Sequence, residues 1–341
     1  MSKTKAKAKN KTGKYANFWE RNKKSGGYLL RSTVMGYGVS ICRAVLLFGL
    51  CFLILQPLLN KISVSFMTEA DLYDPIVTSI PLHFTTQNYK LAAGLMEYGT
   101  TLIHSLLISL TIAILQVAMS TLVGYGFARF QFPFKNFWFA CVMVMVLIPP
   151  QVISTSLHLH FRFFDVLGIY ELLTGTTINL KSSVLPYYLM SACCMGLKNG
   201  LYIYMIRQFF RNIPKELEEA AYVDGCGTLK TFIRIMLPDA KPILTSCFLF
   251  AFVWQWTDGF YSSMFLGNIS LLSIKLKQLP DTFGGYMARI TGASSSAGVS
   301  VPYTNCVLAT GTLMVIVPLI VLYLFAQKGF VESLSSTGIK M

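Results

Sequence analysis

The sequence predicts an all-α integral membrane protein with six transmembrane helices and a cytoplasmic helix-turn-helix between the fourth and fifth. Three observations lead there. Apolar residues make up 54% of the 341 residues and charged ones only 13%, with a mean hydropathy of +0.55. A soluble globular chain is about one-quarter charged. Six apolar runs reach the length of about 20 residues that crosses a bilayer core. Lysine and arginine gather in alternate connections, which sets an orientation. An ordinary cytosolic enzyme, a disordered scaffold and a disulfide-rich secreted domain all fit this balance poorly.

Residues 1–35 are polar and basic, with Lys3, Lys5, Lys7, Lys9, Lys11 and Lys14 alternating with small or polar residues. Such a stretch buries no core, so it is expected to be a disordered cytoplasmic tail. The apolar run after it is too long for a signal-peptide core, and no small-residue cleavage site closes it. An uncleaved first helix is expected. The spans are placed at 36–59, 101–124, 137–157, 183–206, 243–266 and 303–327. Pro149 and Pro150 fall inside the third and Pro318 inside the sixth. Proline removes a backbone hydrogen bond and kinks a helix, and neighbouring helices can cover the gap. The stretches 168–183 and 267–302 read as long external connections.

Twenty basic residues fall on one side of this topology and seven on the other; Arg43 and Lys198 lie within spans. The richer side holds the N-terminal tail, the connection after span two, the segment 207–241 and the C-terminal end. Both termini and that segment are therefore placed in the cytoplasm. A net charge of +14 would suggest nucleic acid as partner in a soluble protein. Here it follows the positive-inside pattern, and no aromatic residue interleaves the lysines before Tyr15. No nucleic acid is expected; the tail reads as a topology anchor attracted to anionic lipid.

Catalytic and metal chemistry find no constellation. The eight cysteines include no C-x-x-C pair and read as small buried hydrophobes. His158 and His160 alone make a weak metal site. No G-x-x-x-x-G-K-[ST], H-E-x-x-H or G-x-S-x-G occurs. No catalytic residue, metal site or cofactor is assigned to this chain, and any phosphate chemistry must come from another.

The segment 206–242 is too polar to cross the membrane and too patterned to be a loose loop. Pro214 suits a first helical turn, and Glu216, Glu218 and Glu219 suit the positive end of the helix dipole. Gly225 stands where a left-handed cap would end the helix. Thr228 is expected to cap a second short helix running to Leu237 and closed by Pro238. Leu217, Ala220, Ala221 and Asp224 share a face by helical spacing, and small alanines permit close approach by a partner. A surface connector with no partner is an equal reading on these grounds.

The pattern E-A-A-x3-G-x9-I-x-L-P is complete here at Glu219, Ala220, Ala221, Gly225, Ile235, Leu237 and Pro238. It resembles the signature of permease subunits of binding-protein-dependent ABC importers. The resemblance implies that 207–241 is a coupling loop that docks in a groove of an ATP-hydrolysing subunit, with Asp224 among the docking residues. Y-G-F-A-R-F at 125–130, Ile148-Pro149 and R-Q-F-F at 207–210 are similar to the same family. F-V-E-S-L-S-S-T-G-I-K at 330–340 resembles its carbohydrate, maltodextrin-type branch. Trp256-Thr257-Asp258-Gly259-Phe260 departs from the usual W-N-D-F.

That likeness covers roughly residue 40 to the end and leaves the basic tail at 1–35 outside it; it fits a six-span transmembrane domain at 36–330 and a cytoplasmic C-terminal tail at 331–341. It implies a multi-pass protein of the bacterial cytoplasmic membrane. The partners would be a second permease, two ABC ATPases that bind ATP and Mg, and an extracytoplasmic solute-binding protein. The solute would be a carbohydrate, most simply an oligosaccharide. The rivals are a permease for another solute and a secondary transporter without an ATPase.

Sugars are held by stacking on aromatic rings and by hydrogen bonds to hydroxyls. Trp254, Trp256, Asp258 and Tyr261 cluster in span five and are the candidates for the solute path. Asp258 has three readings: it binds hydroxyls, it pairs with Arg43 or Lys198, or it lies at the membrane edge. Lys198 before Asn199-Gly200 suggests a broken fourth span. Broken helices often line cavities, and snorkelling to an interface is the plainer reading of the lysine.

Overall fold

The computed structural model describes residues 21–165, 168–267, 269–292 and 300–338. Among them there is no strand, only an antiparallel bridge between Phe164 and Ile178. Most of the expected basic tail, residues 1–20, lies outside the described residues. The chain divides into two units, residues 1–63 and 64–341.

The first unit is dominated by α1 (Tyr28–Ser65). The helix starts earlier than the expected 36, because nothing between Tyr28 and Gly36 interrupts it. Its apolar side chains from Leu30 to Leu55, Val45, Leu46, Phe48 and Ile54 among them, are all exposed. A helix apolar on every side faces lipid rather than one core.

The second unit opens with the short helices α2 (Glu69–Tyr73) and α3 (Gln87–Leu95). Two buried groups fix this entry. Asn88 donates from Nδ2 to the carbonyls of Ser65 and Met67, at 3.0 and 2.8 Å. Cys306 donates from Sγ to the Val64 carbonyl at 3.1 Å.

The long helix α4 (Tyr98–Arg129) is the centre of the bundle. Its buried face is small and polar: Ser105, Ser109, Gln116, Ser120 and Gly124. Small residues let helices approach closely where both sides are bathed in lipid. A Cβ on Gly124 would stand 2.9 Å from Ile206 Cγ2, so this glycine sets the spacing to a neighbouring helix.

The third expected span is broken. α5 (Lys135–Leu147) and α6 (Pro150–Arg162) meet at 102°. Two adjacent prolines remove two backbone donors, and each drives the residue before it out of the helical region. Ile148 and Pro149 are accordingly extended, with ψ 118° and 142°, and Pro150 starts α6. The fourth span breaks as expected near Lys198, but over a longer stretch. After the short α7 (Ile169–Thr174), α8 (Leu185–Ala192) stops, and α9 (Asn199–Asn212) resumes. Cys194 and Lys198, φ 58° and 59°, turn the chain between them.

Three short helical pieces follow α9: α10 (Glu216–Val223), α11 (Thr228–Thr231) and a π turn at Phe232–Met236. The fifth expected span holds α12 (Lys241–Thr257), interrupted at Asp258 before α13 (Phe260–Phe265). The expected loop 267–302 instead contains a 20-residue helix, α14 (Leu272–Thr291), which buries Leu272, Leu279 and Phe283. Its Lys275, Lys277, Asp281 and Arg289 dilute the apolar signal, so hydropathy alone hides it.

The last helix is α15 (Val301–Gly338), with Pro318 inside. Pro318 has no N–H to give the Met314 carbonyl four residues back. Tyr98 Oη donates to that carbonyl at 2.9 Å, and Trp256 Nε1 donates to the neighbouring Val315 carbonyl at 3.2 Å. The kink is covered by two neighbouring helices. Among the described residues, three helices are long and apolar enough to cross a membrane unaided: α1, α4 and the first 29 residues of α15. The four exposed cysteines, Cys42, Cys51, Cys141 and Cys193, correct the expectation of uniform burial; thiols in apolar runs can face lipid as readily as a core.

Candidate functional site

The segment after α9 forms a helix-turn-helix as expected, with different caps. Ile213 leaves the helical region at ψ 130°. Pro214 precedes α10, and the Lys215 carbonyl accepts the amides of Glu218 and Glu219. The C-terminal end is closed by backbone alone. Cys226 N–H donates to Ala221 O at 2.9 Å, and Gly225 N–H to Tyr222 O at 3.0 Å. This paired closure needs a left-handed residue, and Gly225 has φ +77°. No atom lies within 4 Å of a Cβ built there. The glycine is required by its backbone, not by crowding.

Thr228 does not cap the second helix; Gly227 occupies that position, with no side-chain cap. Nor does Pro238 close the helix. The path widens into the π turn, where Leu237 N–H reaches Phe232 O, and continues through Pro238 to Asp239. Pro238 cannot bond the Arg234 carbonyl and its ring crowds it. A wider turn relieves the crowding. The chain then bends 75° into α12.

The motif divides by face. Ala221 and Glu218 point inward, so Ala221 leaves the outer face on which the spacing placed it. Glu219, Ala220, Asp224, Gly225 and Pro238 are exposed, and Ile235 and Leu237 are half-buried. Beside them stand exposed apolar side chains: Leu217, Tyr222, Val223, Leu229 and Ile233. Val223 is 88% exposed, so this apolar surface is offered to something other than the fold's own core. Gly227, Thr228, Leu229, Lys230, Ile233 and Arg234 line a concavity of about 530 Å³ beside it.

The inner face holds residues whose pairing sequence reasoning passed over. Glu218 is buried and accepts from Tyr125 Oη at 3.0 Å. Arg129 Nε lies 3.3 Å from Glu218 Oε2, with both side chains under 10% exposed. Arg129 also donates to the Ile213 carbonyl at 2.9 Å. The Tyr125 ring packs on Phe210 and Phe232, centroids 5.3 and 4.6 Å away. The last turn of α4 thus bolts the segment at three points. A signal was available: Tyr125 and Arg129 are four apart at the end of an apolar helix, so their polar tips share one face.

The four solute-path candidates do not form one site. Trp256 is buried and holds the Val315 carbonyl. Asp258 is buried and accepts from Tyr187 Oη, Ser262 Oγ and the amides of Phe260, Tyr261 and Ser262. That pattern is a helix cap for α13, and Lys198 does not pair with it. Tyr261 is buried. Trp254 is exposed, and Lys198 Nζ lies 5.2 Å from its ring centroid, a cation–π distance.

Lys198, Asn199, Gly200 and Tyr261 line a cavity of about 240 Å³ with Ile148 and Pro150. The break in span three and the break in span four face each other across it. Asn199 is buried; its Nδ2 donates to Ser120 at 3.1 Å while its Oδ1 has no partner. His158 Nε2 stands 3.2 Å from Lys181 Nζ, and His160 packs on Phe161 and Phe164.

Fold and site define a polytopic helical membrane protein with broken spans and an outward-facing helix-turn-helix bolted to one end. Residues 116–330 match the family described as binding-protein-dependent transport system inner membrane component. The match covers more than half of the chain, and the protein belongs to that family. It is 28% identical over 298 residues to the arabinooligosaccharides transport system permease protein AraQ of Halalkalibacterium halodurans, covering 85% of this chain and 93% of that one. It is 26% identical to the probable ABC transporter permease protein YurM of Bacillus subtilis, covering 87% of each. The sn-glycerol-3-phosphate transport system permease protein UgpE of Yersinia pestis is 24% identical, with 86% of this chain and 94% of the relative covered. In fold, the chain is similar to a bacterial ABC transporter involved in import of the acidic polysaccharide alginate. The TM-score is 0.62, the identity 18%, and coverage is 85% of this chain and 95% of that one.

Proposed function

We propose that this chain is a membrane-spanning subunit of an ABC importer that carries a carbohydrate, most simply an oligosaccharide, inward. The observation behind it is the exposed apolar surface around Ala220, Val223 and Gly225, held rigidly from within by α4. Family membership supports the class, and relatives named for arabinooligosaccharide and glycerol-3-phosphate transport support a hydroxyl-rich solute.

In this reading the six spans are α1, α4, α5 with α6, α8 with α9, α12 with α13, and α15. Both termini and the segment 207–241 face the cytoplasm of a bacterial cell. Two ATPase subunits, which bind ATP and Mg, dock on this chain and on a second permease. A solute-binding protein delivers from outside. Closure of the ATPases moves the docked α10, and the bolt to α4 passes that motion into the bundle as a rigid-body switch.

The test is purification from the native membrane in mild detergent with mass spectrometry of co-purifying chains, followed by uptake assays on Gly225 variants. A second permease, an ATPase and a binding protein are expected. Gly225→Asn keeps most uptake, since Asn tolerates the left-handed conformation. Gly225→Asp reaches the membrane but loses uptake relative to ATP hydrolysis. Recovery of the chain alone, together with normal uptake by Gly225→Asp, would sink the proposal.

A further inference from the structure

The end of the bundle that carries the segment 207–241 holds a second cluster, at the start of that segment and away from the exposed apolar surface around Val223. The N-terminus of α5 and the C-terminus of α9 run side by side there. At the opposite end of this pair, Gly200 near the start of α9 sets the spacing, since a Cβ on it would stand 2.8 Å from the Val142 carbonyl and 2.8 Å from Val146. One turn from Phe139, Lys135 reaches back to the Phe130 carbonyl at 2.7 Å. The Arg207 guanidinium carbon lies over the Phe139 ring, 3.8 Å from its centroid. Arg211 follows one turn along α9, and Lys215 lies just beyond. Arg207, Arg211 and Lys215 are near enough to repel the charge on Lys135.

Four like charges gathered this closely call for an anion. Glu218 is already held by Arg129. Among the described residues none of the four cations forms an ion pair with a carboxylate. Arg207 Nε is buried and has no acceptor. The flanks of the cluster are aromatic and outward-facing: Phe134, Phe137, Trp138 and Tyr204 are all exposed. Amphipathic rings beside cations at the end of an apolar helix mark the headgroup level of a bilayer.

We propose that Lys135, Arg207, Arg211 and Lys215 form a binding site for the phosphate of an anionic phospholipid, with its acyl chains lying along the Phe137 and Trp138 side of α5. The site needs only that the chain is embedded in a membrane, so it does not depend on which solute is carried; because Arg211 and Lys215 adjoin α10, the test also follows retention of the ATPase subunits. The flanking rings favour lipid over free phosphate, which uses no apolar border, and their place at the end of the apolar helix α5 favours lipid over an acidic protein surface.

Native mass spectrometry of the detergent-solubilised assembly, offered equal phosphatidylglycerol and phosphatidylcholine, tests it. Phosphatidylglycerol adducts are expected to dominate. Lys135→Gln with Arg211→Gln should weaken their retention roughly thirtyfold, at about 1 kcal/mol per cation near the surface. Lys23→Gln with Lys24→Gln, a charge-matched change in the first unit, should leave it unaltered. Arg211→Gln alone, at an exposed position, should cost about fivefold and keeps the test open should the pair not fold. Equal retention of the two lipids overturns the site, as does an equal loss in the charge-matched control. So does full displacement of the adducts by excess inorganic phosphate, which would mean a free-anion site. Unchanged lipid retention with loss of the ATPase subunits from the variant overturns it too, in favour of a protein carboxylate.

Discussion

Tyr125 at the end of α4 donates to Glu218 in α10 at 3.0 Å, joining residues 93 apart in sequence. With Arg129 on the other carboxylate oxygen, the interaction is a buried charge pair with a neutral support. Removing one member of such a pair leaves the other charge stranded, at about 3–5 kcal/mol. A hydrogen bond to a charged group is worth about 1.5–3 kcal/mol. Glu218→Ala should therefore cost more thermal stability in detergent than Tyr125→Phe. The double variant Glu218→Ala with Arg129→Ala should recover part of the loss. Strict additivity in that cycle would mean the pair is not coupled.

Asp258 was a solute-path candidate by residue type, and its geometry makes a different expectation. Five donors converge on its carboxylate. A lost cap costs about 1 kcal/mol, and loss of the carboxylate that accepts from the buried Tyr187 hydroxyl adds to it, although that hydroxyl keeps Ser262 Oγ at 2.9 Å. Asp258→Ala should lower the melting temperature of the purified protein. Trp254→Ala, at an exposed ring, should leave it unchanged. A fully stable Asp258→Ala protein would return Asp258 to the list of residues free to meet solute.

The contrast shows where sequence was legible. Composition, apolar runs and the spacing from Glu219 to Pro238 are local properties, so the helical membrane class and the helix-turn-helix could be read directly. Gly225 could be read too, because a helix end followed by G-C-G leaves few backbone choices. The break at Pro149-Pro150 was visible as two prolines, but its 102° angle depends on what packs around it. Glu218 was read only for its place near a helix start. Its meaning depends on Tyr125 and Arg129, which chain order keeps far away. α14 was missed because its charged residues, spaced along one side, average out the buried side.

Two glycines should respond differently to the same change. A Cβ on Gly200 would press on the Val142 carbonyl at 2.8 Å, and backbone cannot step aside. A Cβ on Gly311 would meet Leu279 Cδ2 at 2.6 Å, then Leu276 and Met96 at 3.2 Å, all far ends of flexible side chains. Overpacking costs about 1–3 kcal/mol where neighbours cannot relax. Gly200→Ala should show that loss in thermal unfolding, and Gly311→Ala a smaller one. Equal losses would mean that the contact between α5 and α9 is looser than drawn.

The connection between α1 and α3 should be acid-sensitive. Asp71 is buried, which pushes its carboxyl up. The His83 ring nitrogen at 2.7 Å and the His83 amide at 2.9 Å outweigh that and hold it below its ordinary 3.8. A carboxyl with a depressed value in the folded state binds fewer protons than the unfolded chain near that pH. Its contribution is complete above the ordinary value and disappears as pH falls through the lowered one. Melting curves of the wild type should therefore drop as pH falls below about 4. In Asp71→Asn the part of that drop due to this carboxyl should vanish, with a lower plateau near neutrality because the His83 contacts are weakened. Parallel wild-type and variant curves across the acid range would show that the Asp71–His83 staple contributes nothing to stability.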